Sequence, residues 1–145
     1  MFSSSFSSAL LMLQKEVVKR ISAKAGDRDR GFLTVLTEAY FETEPLFEVP
    51  PAAFKPAPKV TSAVVRLTPR TNRTKFNPES LASVVSAGFQ QKRKTIANNL
   101  KHISGFEDSK TILESLGLDP GLRPEALELE HWILLSKKIP RASAA

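Results

Sequence analysis

Phe32, Val35, Leu36, Ala39 and Tyr40 recur at i, i+3, i+4, i+7 and i+8, one face of an amphipathic helix that starts near an Asp-Arg-Asp-Arg-Gly turn and stops at Glu44-Pro45. Upstream, ALLMLQKE at 9–16 lacks that period and predicts a short buried strand opening into helical VVKRI. Residues 46–49 and 60–67 are β-rich and flank a proline-dense loop as a hairpin-like pair. The second, VTSAVVRL, is apolar on both faces and predicts a central strand. After Pro69 the period becomes helical. Asn77-Pro78-Glu79 combines a cap, a first-turn proline and an acid at the positive end of the dipole, and Leu81, Val84, Val85 and Phe89 follow as its buried stripe. A basic helix is predicted over KRKTIANNLKHI, another over 108–116 ahead of Gly117, and a last one from Arg123-Pro124-Glu125 with Ala126, Leu129, Trp132 and Ile133 inward.

Two unlike parts result: residues 1–68 mix α and β, residues 69–145 are all helical, and the boundary falls in LTPRTNRT. Three short strands with about two helices make a small core. A strand at the very start implies a sheet whose other strands lie elsewhere, so the chain reads as the tail of a longer protein.

Composition narrows the chemistry. The 145 residues are 41% hydrophobic, ordinary for a packed domain. There is no cysteine, which removes disulfides, thiolate metal sites and cysteine nucleophiles, and His102 and His131 alone make no zinc site. The apolar run near the N-terminus lacks a basic leader and is too short for a signal peptide, and no run approaches a membrane span, which predicts a cytoplasmic protein without membrane or metal partners. The net charge of +6 is concentrated. Between positions 66 and 101 stand eight cations, Arg66, Arg70, Arg73, Lys75, Lys92, Arg93, Lys94 and Lys101, against one acid, Glu79. Such a stretch in an otherwise balanced chain points to a polyanion, most commonly nucleic acid, or to a solvated basic face.

Phe54 sits among Pro50, Pro51, Pro56 and Pro58, which restrict the backbone and hold the ring still just before an apolar run. A ring so held is either a plug on the core or a platform for a flat ligand. Trp132 falls on a helical apolar stripe and reads as core. The two histidines read as surface or cap residues, and Glu38 and Glu42, four apart, as the solvated side of a helix.

Three blocks in order, MLQKEVVKRI at 12–21, EVPPAAFKPAPKVTSAVVRL at 48–67 and FQQKRKTIANNL at 89–100, with GLDPGLRPEAL at 117–127, resemble the ribosomal RNA adenine dimethyltransferases of the kasugamycin-resistance type. The resemblance implies the C-terminal portion of a doubly wound, S-adenosylmethionine-dependent methyltransferase sheet followed by a small helical domain that docks on the small ribosomal subunit. By that likeness Phe54 stacks on the target adenine. Arg66, Arg70, Arg73, Lys75, Gln91, Lys92, Arg93, Lys94, Asn98 and Lys101 would then meet RNA phosphates, which position an RNA without reading its sequence. Relatives act on mitochondrial or large-subunit RNA as well; the KRKT block and the short helical tail favour the small-subunit type.

The family's Gly-rich cofactor loop, the acid ending its second strand and its Asn-Leu-Pro-Tyr motif have no counterpart here. The expectation is a chain that binds no S-adenosylmethionine and is inactive alone. The alternatives are a non-catalytic ribosome-binding or assembly module and a basic helical DNA-binding module, which preference for subunit RNA over duplex DNA at matched salt would separate.

Overall fold

The computed structural model describes residues 6–72 and 74–140. Strands β1 (Ala9–Gln14), β2 (Phe41–Val49) and β3 (Ser62–Pro69) form an antiparallel sheet in the order β1-β3-β2. β3 is central, as its sequence predicts. Its Ala63, Val65 and Leu67 turn inward onto Val18 and Ile21 of helix α1 (Lys15–Ile21). β1 is not the buried strand expected: Leu10 is 61% and Met12 51% exposed. It is an edge strand covered by α1 on one face, while Leu10, Met12 and Phe47 flank Arg66 and Val64 on the open face.

Helix α2 (Phe32–Tyr40) stops before Glu44-Pro45, because Phe41 turns extended and starts β2, whose register with β3 begins at Phe41 opposite Pro69. Pro45 is tolerated within an edge strand, and the register slips between Pro45 and Phe47. Pairing across the sheet therefore overrides the local helix signal. Phe32, placed by its spacing on the inward face, is 40% exposed.

The remaining elements are α3 (Pro78–Gly88), α4 (Ile96–Leu100), α5 (Ser109–Ser115) and α6 (Leu129–Ser136). Asn77 caps α3 by accepting from the Ser80 N–H at 2.9 Å, and Asp108 caps α5 through the Thr111 N–H. Val35 and Ala39 of α2 pack with Leu81, Val84, Val85, Ile96, Leu113 and Trp132 in the larger core. The basic helix is shorter than predicted: Lys92, Arg93 and Lys94 lie on a turn, and helix begins only after Thr95. The last helix is split. Pro124–Ala126 is a single 3-10 turn, Leu127 and Glu128 are extended, and α6 follows.

Leu127, extended at φ −80 and ψ 135, presents its carbonyl to a buried arginine. Arg30, 1% exposed, donates from Nε to the Leu127 carbonyl at 3.1 Å and from Nη1 to Glu38 Oε2 at 2.7 Å and the Ala23 carbonyl at 3.4 Å. Beside it the Gly26 N–H donates to the Glu125 carbonyl at 2.8 Å, with Gly26 at φ +96 where a side chain would be strained. The loop between α1 and α2 thus ties the sheet to the helical core. Glu38 is not a solvated helix acid but the partner of a buried arginine, and Glu42 lies on β2.

Candidate nucleic-acid interface

The turn between α3 and α4 presents Gln91, Lys92, Arg93 and Lys94 at the surface. Asn99, 4% exposed, holds it from beneath. Its Oδ1 accepts from the Gln91 N–H at 3.0 Å, and its Nδ2 faces the carbonyls of Gln91 at 3.0 Å, Thr95 at 3.2 Å and Lys94 at 3.4 Å. A buried amide is stable only when its hydrogen bonds are made, so this contact set specifies one shape for the turn. Thr95 then caps α4 by accepting from the Asn98 N–H at 3.3 Å. Gln91, Lys94, Asn98, Lys101 and His102 come together around a shallow pocket of about 190 Å³.

Charge separates the predicted cations into two groups. Arg66 pairs with Glu44 at 2.9 Å, and Arg70 lies 3.9 Å from Glu42. Among the described residues no ion pair involves Lys75, Lys92, Arg93, Lys94 or Lys101. Lys92 donates to the Arg28 carbonyl at 2.6 Å and Lys101 to Asn98 Oδ1 at 3.4 Å, neutral acceptors that leave the charge uncompensated. A rigid turn carrying unpaired cations suits a polyanion. Arg66 lies on β3 and Arg70 just past its end, Lys75 lies ahead of α3 beside Lys137, and Arg73 falls outside the described residues.

Phe54 follows the Pro51–Ala53 turn, its N–H donating to the Pro51 carbonyl at 3.1 Å, and the Lys55-Pro56 peptide bond is cis. The ring is half-buried and joins neither hydrophobic cluster. Trp132 is fully buried, and His131 Nδ1 accepts from the Glu128 N–H at the start of α6.

Sequence reasoning misses Asn99 and Arg30. Asn99 has one signal, a polar side chain three residues after Ile96 and four before Ile103, on the apolar side of α4. Arg30 has none: it lies in a polar turn, and its partner Leu127 is 97 residues away.

Among the described residues no strand is followed by a glycine turn of the kind that holds a nucleotide-type cofactor. The three glycines with positive φ, Gly26, Gly105 and Gly117, all close turns after helices, and β1 runs straight into α1 at Gln14-Lys15 without the glycine turn that a nucleotide-type cofactor needs against the backbone. Among the described residues no group of three or more His, Cys, Asp or Glu is placed to hold a metal, and no helix is long and apolar enough to cross a membrane.

The profile of the family described as "Ribosomal RNA adenine dimethylase" matches residues 1–139. The chain belongs to that family. The "Ribosomal RNA small subunit methyltransferase A" of Saccharophagus degradans is 45% identical over 130 residues, 88% of this chain and 47% of that protein. Its counterpart in Rippkaea orientalis is 40% identical over 140 residues, 96% of this chain and 52% of that protein. The chain spans about half the length of the curated relatives it matches. Among solved structures, a dimethyladenosine transferase from Plasmodium falciparum superposes with a TM-score of 0.75 at 25% identity, covering 92% of this chain and 58% of that one. The 23S rRNA methyltransferase ErmE gives 0.63 at 26% identity, covering 95% and 57%. The three strands and their helices thus match part of a methyltransferase fold.

Proposed function

We propose that the chain is the C-terminal, RNA-docking portion of a cytoplasmic small-subunit rRNA adenine N6-dimethyltransferase, an enzyme passing methyl groups from S-adenosylmethionine to adjacent adenines. The observation that carries this reading is the Asn99-clamped turn with its uncompensated cations, found in a chain of this family. Gln91, Lys92, Arg93, Lys94, Asn98 and Lys101 form the principal phosphate contacts, and Arg66, Arg70, Arg73 and Lys75 extend them. Phe54 takes the target adenine once the base has left its helix, replacing the lost stacking; a half-buried ring outside both cores supports that role. Residues 1–68 are the methyltransferase portion and 69–145 the docking portion. Alone, the chain docks without S-adenosylmethionine and transfers no methyl group, since donor and adenine nitrogen must be held in line by a complete site.

The test is the affinity of the purified chain for small subunits lacking adenine dimethylation, across a salt series, with and without S-adenosylmethionine. Binding should be salt-sensitive and indifferent to the cofactor. Alanine at Lys92, Arg93 and Lys94 together should weaken it and flatten the logarithmic salt slope by about 2. Unchanged affinity in that variant removes the docking assignment. Methylation by the purified chain refutes its inactivity alone.

A further inference from the structure

A cleft of about 400 Å³ opens where α1, the start of α2 and the turn after α3 meet, lined by Arg20, Asp29, Gly31, Phe32, Leu33, Phe89 and Lys92. Its apolar part is unusually open to solvent: Phe32 is 40% and Leu33 43% exposed, and Phe32 joins neither core. Phe89 is firm, because its ring stacks on the buried Trp132 at 5.2 Å between centroids. Asp29, on the same lining, pairs with Lys19 at 3.5 Å, whereas neither Arg20 nor Lys92 forms an ion pair among the described residues. Lys92 is oriented by the Arg28 carbonyl at 2.6 Å. A partly exposed aromatic ring sharing a cleft with two cations that form no ion pair fits a ligand that is flat and anionic at once. Bases within a duplex hide their faces, so only an unstacked nucleotide can use such a ring.

We propose that this cleft is a nucleotide subsite for single-stranded RNA, holding one unstacked base against Phe32 and its phosphate between Arg20 and Lys92. The subsite rests on the RNA-docking function and adds to it a second point of base contact, formed by α1 and α2 rather than by the proline loop.

The full chain is titrated with a fluorescent single-stranded oligoribonucleotide and with an RNA duplex of the same length. Phe32→Ala should weaken single-strand binding roughly tenfold and leave duplex binding unchanged, and Phe32→Trp, which keeps a stacking face, should restore it. Arg20→Ala should weaken the single strand as well. Circular dichroism melts that match the parent establish that the variants fold. Arg93→Ala/Lys94→Ala, outside the cleft, reports docking separately. If it lowers RNA affinity while Phe32→Ala changes nothing, the subsite is refuted and docking stands. If neither variant changes affinity, both readings fall. Equal loss of single-strand and duplex binding in Phe32→Ala also overturns the subsite, as does adenosine monophosphate binding as tightly as the oligonucleotide.

Discussion

Replacing Gly88 with alanine tests the packing beneath the basic turn. Gly88 is the last residue of α3, immediately ahead of that turn. Helix propensity alone favours alanine by at most about 1 kcal/mol. Tertiary packing reverses the sign. A methyl at Gly88 would stand 2.6 Å from Cζ3 of Trp132, against its Cη2, and 3.2 Å from Cδ1 of Ile96. Trp132 and Ile96 are both fully buried, and the indole is stacked on Phe89, so the ring retreats only if α6 moves. Overpacking a well-filled core costs about 1–3 kcal/mol, and overlap with a rigid ring edge belongs in the upper half of that range. Set against the helix gain, the net loss is about 1–2 kcal/mol, which lowers Tm by roughly 3–6 °C at this chain length. Far-ultraviolet circular dichroism and the emission of the single tryptophan should report the same shift. A Tm at or above the parent's refutes the reasoning. In a Trp132→Phe background the added methyl should cost at least about 0.5 kcal/mol less, because the smaller ring lacks the atoms it meets; strict additivity would place the cost elsewhere.

Asn99→Asp keeps the shape of the clamp but removes the donor that faces three carbonyls, so it should destabilise by about 2 kcal/mol and weaken RNA binding beyond what its added negative charge explains at high salt; a urea titration and a salt series check both. Arg30→Met preserves volume while leaving the Leu127 carbonyl and Glu38 without their partner, and a loss of about 2–3 kcal/mol is expected from the urea midpoint, more than for Glu38→Gln; the reverse order would contradict the role given to Arg30. The Glu107 carboxyl is held below the ordinary glutamate value of 4.5 by its own backbone N–H and then by that of Gly105. A carboxylate lowered in the folded state stabilises fully above its unfolded value and loses that contribution as pH falls through the folded one. Glu107→Gln should therefore lower Tm at neutral pH and match the parent in strong acid, and a gap that stays constant with pH would contradict the assignment.

Local physical chemistry in the sequence is enough to place β3, the Asn77-Pro78 start of α3 and the stop at Gly117, because a β-rich apolar run, a capping side chain and a left-handed glycine each act over a few residues. It also concentrates the positive charge and makes Phe54 conspicuous, since composition and proline content are local quantities. What it could not decide depends on partners distant in the chain. Residues 41–45 are strand rather than helix because β3 offers them hydrogen bonds. ALLMLQ is apolar yet exposed because it lies at an edge with one face uncovered. Arg66 and Arg70 differ from Lys92, Arg93 and Lys94 because β2 brings carboxylates into ion pairs with the first two, whereas among the described residues no ion pair reaches the turn. The shape of that turn rests on one buried amide, and the join between sheet and helices on one buried guanidinium. Both are polar residues whose role appears only when the chain closes around them, because a hydrogen bond's worth is set by the burial of its partners rather than by residue type.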